Sequence, residues 1–395
     1  MTSATTTAIP AEEELHWLAL KMVAGLGTRR AGQLIETFRS PEAIFRASRS
    51  ELEGAGLPGS VAQSISSGCA FEEALEQQGK MRAAGACLVT INSAEYPPLL
   101  REVYDPPVVL YARGQIGILQ RTLFAVVGTR RPTPYGMAVA ERLSADLSAA
   151  GLVIASGMAR GIDTASHKGA LSVNCPTIAV LGCGVDIVYP SENRRLSEQI
   201  AEKGVVLSEF PMGSAAFPQN FPIRNRIVSG ACVGLLVIEG AQYSGSAITA
   251  RLALDQGREV FAVPGNVTSK MSWCPNLLIK QGAKLVQDWN DVVVDLPPAV
   301  RRRLIDDGKQ RILDLGEEPG DAPSPNGERA DLAGPESETS RRILQKLAVD
   351  TPLHLDELIE TMDRCSTSEV IAALFELEML GLAKQLPGRQ YVRKF

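Results

Sequence analysis

The sequence predicts an α/β fold: a doubly wound, mostly parallel sheet, with a small all-α domain before it and a winged-helix domain after it. Three observations carry this expectation. Between residues 121 and 265, short apolar runs alternate with helical stretches, as they do in a parallel sheet covered on both faces. Ahead of that region, over residues 12–78, apolar residues recur at helical spacing. Behind it, an acidic stretch rich in Pro and Gly sets off a compact end with the pattern of three helices and a hairpin.

In the first region, assigned to residues 1–80, Leu15, Leu18, Ala19 and Met22 mark one helix, and Leu34, Ile35 and Phe38 another. Gly25-Leu26-Gly27-Thr28-Arg29-Arg30 reads as a tight turn opening the second helix, and Gly56-Leu57-Pro58-Gly59-Ser60 repeats the idea. The pattern resembles a helix-hairpin-helix or SAM-like module. Free amides in such a turn, helped by Arg29 and Arg30, can hold a phosphate; helical proteins that touch no nucleic acid use the same turns. Residues 81–120, broken by Tyr96-Pro97-Pro98 and Asp105-Pro106-Pro107, read as an extended connector joining the core.

Residues 121–295 hold the sheet. Its strands are expected at Leu123–Val127, Leu152–Ala155, Thr177–Leu181, Val205–Leu207 and Leu235–Ile238, with Glu259–Val263 following a helix through Ala247–Asp255. Residues 296–338 read as a flexible linker, too polar to order themselves. In residues 339–395, helices are expected around Ile343, Leu344 and Leu347, over Leu355–Met362 and over Val370–Leu380, the last with a Ser366-x-x-Glu369 capping box. Leu382–Leu386, the turn Pro387-Gly388 and Gln390–Arg393 complete a winged-helix pattern.

Composition limits the function classes. With 45% hydrophobic and 22% charged residues over 395 positions, the chain is an ordinary globular one. It has no apolar run near the roughly 20 residues of a membrane span and no secretory leader pattern, so the expected location is the cytoplasm. Seven scattered cysteines without a C-x-x-C pair argue against a disulfide framework and a zinc site. The formal net charge of −5 means that any nucleic-acid site must be a local basic cluster on an acidic background.

The strand ends are where such a cluster would form, because ligands of open parallel sheets bind at the carboxyl ends of the strands. The expected loops there carry Gly128, Thr129 and Arg130; Ser156, Gly157, Arg160 and Gly161; Phe221, Arg224, Asn225 and Arg226; and Ser244 and Gly245. Glycines admit a close backbone approach and helix N-termini favour anions, so an anionic, phosphate-bearing ligand is expected. Each glycine is equally needed for its turn, and the arginines could instead pair with Glu209 and Glu239; recurrence at successive strand ends favours a site. Tyr135, Phe217, Phe221 and Tyr243 supply faces on which bases could stack, although Phe217 or Phe221 could simply pin its loop to the core.

Other chemistries find little support. Neither a P-loop nor a complete G-x-G-x-x-G is present; Gly182-Cys183-Gly184 is a weak match. Asp163 and His167, at i and i+4 on one helix face, could share a ligand, but without a third candidate nearby they read as a local hydrogen bond that orients a loop. No catalytic residues, metal or cofactor are therefore expected.

The run from Val127 to Val267 resembles the DNA-processing protein A family, DprA or Smf. Matching stretches include Gly128–Gly136, Ser156-Gly157-x-Ala159-Arg160-Gly161-Ile162-Asp163, Tyr189-Pro190, Phe221-Pro222-x-Arg224-Asn225-Arg226-Ile227, Ser244-Gly245-Ser246 and Val263-Pro264-Gly265. The resemblance implies a Rossmann-like domain that binds single-stranded DNA, dimerises, and loads the RecA recombinase during natural transformation. Arg130, Ser156, Gly157, Arg160, Arg224, Asn225 and Arg226 would line its DNA pocket. One departure is Pro275, where the family usually has Gly before the Asn. The expected recognition helix of the winged domain carries Glu369, Glu376 and Glu378 with no Lys or Arg, so a protein partner is expected there rather than a DNA groove. The rival reading is a nucleotide-processing enzyme similar to phosphoribohydrolases, but Gly240–Ala250 lacks the carboxylate such enzymes use.

Overall fold

The computed structural model describes residues 9–304, 338–348, 351–362, 370, 373–374, 377, 382–386 and 390–393. Helices α1 (Ala11–Met22), α2 (Thr28–Phe38), α3 (Pro41–Arg46), α4 (Arg49–Gly54), α5 (Gly59–Ser66) and α6 (Phe71–Ala83) come first. Then follow β1 (Cys87–Thr90), α7 (Pro98–Arg101) and β2 (Val109–Gly114). The alternating part runs β3 (Leu123–Gly128), α8 (Pro134–Ala149), β4 (Val153–Ser156), α9 (Ile162–Ser172), β5 (Thr177–Val180), α10 (Arg194–Lys203) and β6 (Val205–Ser208). It continues with α11 (Asn220–Gly230), β7 (Gly234–Ile238), α12 (Gly245–Asp255), β8 (Glu259–Ala262), α13 (Trp273–Lys280), β9 (Lys284–Leu285) and α14 (Trp289–Asp295).

These strands form a nine-stranded sheet, ordered β1-β2-β6-β5-β4-β3-β7-β8-β9, among the described residues. From β6 to β9 every pairing is parallel; β2 runs against both its neighbours, so β1 points the same way as the parallel set. The six strands expected in 121–265 all occur, each within a residue or two of its expected ends. Side chains alternate across the pleat. Phe124, Val126, Ile154, Leu236 and Phe261 pack against α8 and α9 on one face. Ala125, Val127, Val153, Ile178, Val205 and Val237 meet Ile227 and Val228 of α11, Ala250 and Ala253 of α12, and Leu278 of α13 on the other.

Two segments differ from expectation. Residues 81–120 are not a connector: their start is the end of α6, and β1 and β2 extend the sheet. The proline pairs that break the apolar runs sit in turns flanking the strands, where Tyr96, fully buried, donates its hydroxyl proton to the Pro107 carbonyl at 2.8 Å. Nor does a linker begin at residue 296. Leu296 and Leu304 are buried with the α8 face, and Val300 packs beside them; Val300 and Leu304 share one face of a helix over 298–304, at i and i+4. The prolines and the run Arg301-Arg302-Arg303 hide that face in the sequence. Residues 305–337 of the expected linker lie outside the described residues.

The N-terminal helices share a core with the sheet. Trp17, Leu18, Leu34 and Ile65 cluster with Val109, Tyr111, Ala179 and Val206. Gln77 of α6, buried, accepts from the Met212 amide (2.8 Å) and donates to the Met212 carbonyl (3.3 Å), pinning the loop after β6. At the other end of the chain, β10 (Leu353–His354), β12 (Gln390–Arg393) and β11 (Ala383–Leu386) form a separate sheet in that order, next to helices Glu338–Lys346 and Leu355–Thr361. Val370, Ala373, Leu374 and Leu377, spaced as one helical face, bury with Ile343, Leu347 and Leu358. The capping box at Ser366 and Glu369, Glu376 and Glu378, and the turn Pro387-Gly388 lie outside the described residues.

Asp163 makes a local hydrogen bond to the loop before α9, through the Ala159 amide, while His167 bonds elsewhere. His167, fully buried on α9, meets the Thr177 hydroxyl of β5 at 2.7 Å, and that hydroxyl donates to the Ile154 carbonyl. Thr177 must therefore accept from Nδ1–H, which leaves the buried Nε2 bare. Burial, reinforced by the Arg224 charge, holds the imidazole pKa down to about 3.

Two predictions follow from this packing. Leu304→Ala should lower stability by about 2 kcal/mol or more in denaturant unfolding, because it empties a core site; a neutral result would return residues 296–304 to the linker. The unfolded His167, with an ordinary pKa of 6.5, takes up a proton that the folded one refuses. Its contribution is present above pH 6.5 and is lost as pH falls towards 3. His167→Gln should flatten the acid-side slope of stability by up to about 1.4 kcal/mol per pH unit.

Candidate nucleic-acid interface

Successive crossovers carry the chain from β3 through β4 and β5 to β6 on one side; the return to β7 lands on the other side of β3. At that switch the loops leaving the strands part, and a crevice opens at their carboxyl ends. A cleft of about 470 Å³ occupies this position. Gly128, Thr129, Arg130, Gly157, Phe221, Arg224, Asn225, Ser244 and Gly245, nine of the sequence-expected residues, line it.

Arg224 organises the cleft. It is buried on α11, and its Nη1 donates to the carbonyls of Gly157 (2.7 Å), after β4, and Val180, the last residue of β5. Its Nε donates to the Asn225 side-chain oxygen at 3.1 Å. A Cβ at position 157 would collide with the guanidinium, so glycine is required there by close approach. Asp163, buried below the same loop, accepts from the Ala159 amide at 3.3 Å. Burial pushes its carboxyl pKa up, against the pull of the Arg224 and Arg130 charges. Burial likewise lowers the pKa of Arg224, with Asp163 opposing.

Phe221 stands between the two arginines. The Arg130 guanidinium lies 4.9 Å from its ring centroid and that of Arg224 6.0 Å, while the Tyr189 ring is 5.7 Å away. Arg130 is exposed and has no carboxylate partner among the described residues. It rides on a loop secured by Glu239, which accepts from the Thr133 amide (2.8 Å) and hydroxyl (2.5 Å). Glu239 is thus tied to the helix start rather than to an arginine.

Four expected site residues lie elsewhere. Ser156 is fully buried and donates to the Val126 carbonyl at 2.6 Å, joining β4 to β3. Gly161, at φ +78°, lets the start of α9 pass against Thr129 and Pro132, which a Cβ would strike. Arg160 is exposed but paired with Glu192. Arg226, one helical step beyond the cleft, is buried in an ion pair with Glu209, and its Nη1 donates to the Asp105 carbonyl at 2.7 Å. Gly161 serves its turn, and the side chains of Ser156, Arg160 and Arg226 satisfy neighbours instead of the cleft.

Among the aromatics, Tyr243 and Phe217 are exposed, and Tyr135 donates to the Pro264 carbonyl in a different pocket. Sequence reading missed Ile248 and Thr249, which line the cleft from the first turn of α12. Helical spacing from Ser244 and Gly245 could have found them. Met271 gave no local signal: its carbonyl accepts from the Gly240 amide at 2.6 Å, and that contact brings it to the cleft. Pro275 falls in the first turn of α13, where a missing amide proton costs no helical hydrogen bond, and the adjacent Asn276 side chain bonds both the amide (3.1 Å) and the carbonyl (2.9 Å) of Gly265. Among the described residues, no group of three His, Cys, Asp or Glu is placed to hold a metal ion, and no helix is long and apolar enough to cross a membrane.

Residues 87–297 match the family of the DNA recombination-mediator protein A, and residues 327–389 match the DprA winged helix domain. The chain is 33% identical over 404 residues to Protein Smf of Synechocystis, covering 97% of this chain and 99% of that one. It is 42% identical over 217 residues to the DNA processing protein DprA of Bacillus subtilis, covering 55% of this chain and 73% of the relative. The X-ray structure of DNA processing protein A from Streptococcus pneumoniae superposes with a TM-score of 0.60 at 33% identity, over 73% of this chain and 99% of that one. With a mostly parallel sheet, a winged-helix end and relatives of this length, the chain belongs to the DNA recombination-mediator protein A family.

Proposed function

We propose that the switch-point cleft binds single-stranded DNA without sequence specificity, and that the chain protects the strand and loads the RecA recombinase onto it in natural transformation and homologous recombination. The observation that carries the reading is the juxtaposition of an exposed Arg130, without a carboxylate partner among the described residues, with the Phe221 ring and with glycine-lined backbone at the switch point. Such a set grips a phosphodiester and offers a face to an unpaired base, contacts that are the same for every nucleotide. The family match to DNA recombination mediators supports it. The protein works as a cytoplasmic homodimer with no cofactor, and its winged helix contacts a protein rather than DNA.

Binding without covalent chemistry fits the cleft better than nucleotide turnover does. Asp163 is the carboxylate of its lining, and it is committed to the loop through the Ala159 amide. A catalytic carboxylate needs a free oxygen facing the reacting atom.

The arginines separate into different roles, and this can be measured by anisotropy with a labelled oligonucleotide at several salt concentrations. Arg130→Ala should leave the melting temperature unchanged, weaken single-strand binding, and reduce the salt slope by about 0.7, one phosphate contact. Gly157→Ala should abolish binding by displacing the Arg224 guanidinium, with wild-type-like binding sinking the assignment of that contact. Arg226→Ala should cost about 3 kcal/mol of stability by stranding the buried Glu209, yet leave the salt slope of the folded fraction unchanged.

A further inference from the structure

A second cavity lies where the N-terminal helices meet the edge of the sheet. It is a groove of about 830 Å³, walled by one face of α2 and by the turns on either side of α7. Arg29, Arg39 and Arg101 line it, with Glu36 as the carboxylate of the lining. None of the three arginines is ion-paired among the described residues, whereas the nearby Asp105 is already taken by Arg226. Arg101 is held in place by the carbonyls of Ile91 (3.1 Å) and Ser93 (3.2 Å). Across the groove Arg29 stacks 4.6 Å over the ring centroid of Tyr104, an aromatic left 75% exposed.

Gly32 leaves part of this space open. It sits in the middle of α2, where glycine weakens a helix, and nothing lies within 4 Å of where its Cβ would be. No packing neighbour demands glycine there. Its effect is to leave the groove wall bare between the arginines.

We infer that this groove is a second nucleic-acid site, taking a single-stranded segment with its phosphates on Arg29, Arg39 and Arg101 and an unpaired base on Tyr104. A duplex keeps its bases stacked on one another and has none to offer the ring. The groove adjoins the cleft through α11: Arg224 faces the cleft, and Arg226, two residues on, is bonded to Asp105, between the groove's Tyr104 and Pro106. A strand longer than the cleft can hold continues into the groove. The ligand class rests on the reading of the cleft as a single-strand site.

The test uses the full chain and labelled oligothymidylates of about 6 and about 24 nucleotides, one short enough for a single site and one able to span both. The double variant Arg29→Ala/Arg39→Gln should bind the short strand as wild type does. It should bind the long one roughly 5- to 10-fold more weakly, with a salt slope smaller by about 1.4. Gly32→Leu, which fills the groove and leaves the arginines, should produce the same selective loss, as should Tyr104→Ala, a surface change that keeps the test open if Gly32→Leu misfolds. Unchanged long-strand affinity in these variants, or a groove-dependent preference for duplex, overturns the inference while the cleft stands on the Arg130→Ala result. Failure of wild type to bind either length overturns the cleft reading and this one with it.

Discussion

The site depends on one buried guanidinium. Arg224 reaches from α11 to the carbonyls that end β4 and β5, and in doing so it fixes three elements that the sheet alone would leave free to splay. The arrangement works only because position 157 has no side chain. It also places a positive charge beneath the cleft, with Asp163 close enough to temper the cost of burying it. A charge held this way serves preorganisation: the loops are set before a ligand arrives, so little ordering entropy remains to oppose binding.

The same economy governs the other charged residues. A protein with a net charge of −5 that engages a polyanion must keep its basic groups from being spent on its own carboxylates. Arg160 and Arg226 are spent in that way, on Glu192 and Glu209. Among the described residues Arg130, Arg29, Arg39 and Arg101 are not, and they line the two concave surfaces, Arg131 and Arg224 joining Arg130 in the cleft.

Much of this was legible in the sequence, and the reasons for the rest are physical. Buried parallel strands announce themselves as unbroken apolar runs, so all six came out close to their true ends. The antiparallel edge did not, because β1 and β2 are flanked by proline turns that mimic a connector. Loop positions at strand ends were readable from glycine and arginine, but the direction of a side chain was not. Arg224 and Arg226 are two residues apart on a helix, roughly 200° around its axis, and that rotation sends one to the cleft and the other to Glu209. Which arginine goes which way follows from where the acidic partners lie in three dimensions. Met271 shows the limit from the other side: it reaches the cleft through a backbone contact that no spacing reports.

The core beneath α1–α6 and β2 is shared between the N-terminal helices and one edge of the sheet. Gene fusions or truncations that start the chain near β1 would uncover Val109, Tyr111 and Val206, an apolar strip that the helices now roof. Shortened versions of such a protein therefore have to evolve a replacement roof, or borrow one from another molecule. The N-terminal helices are in this sense the half of the sheet's interior that happens to be encoded first.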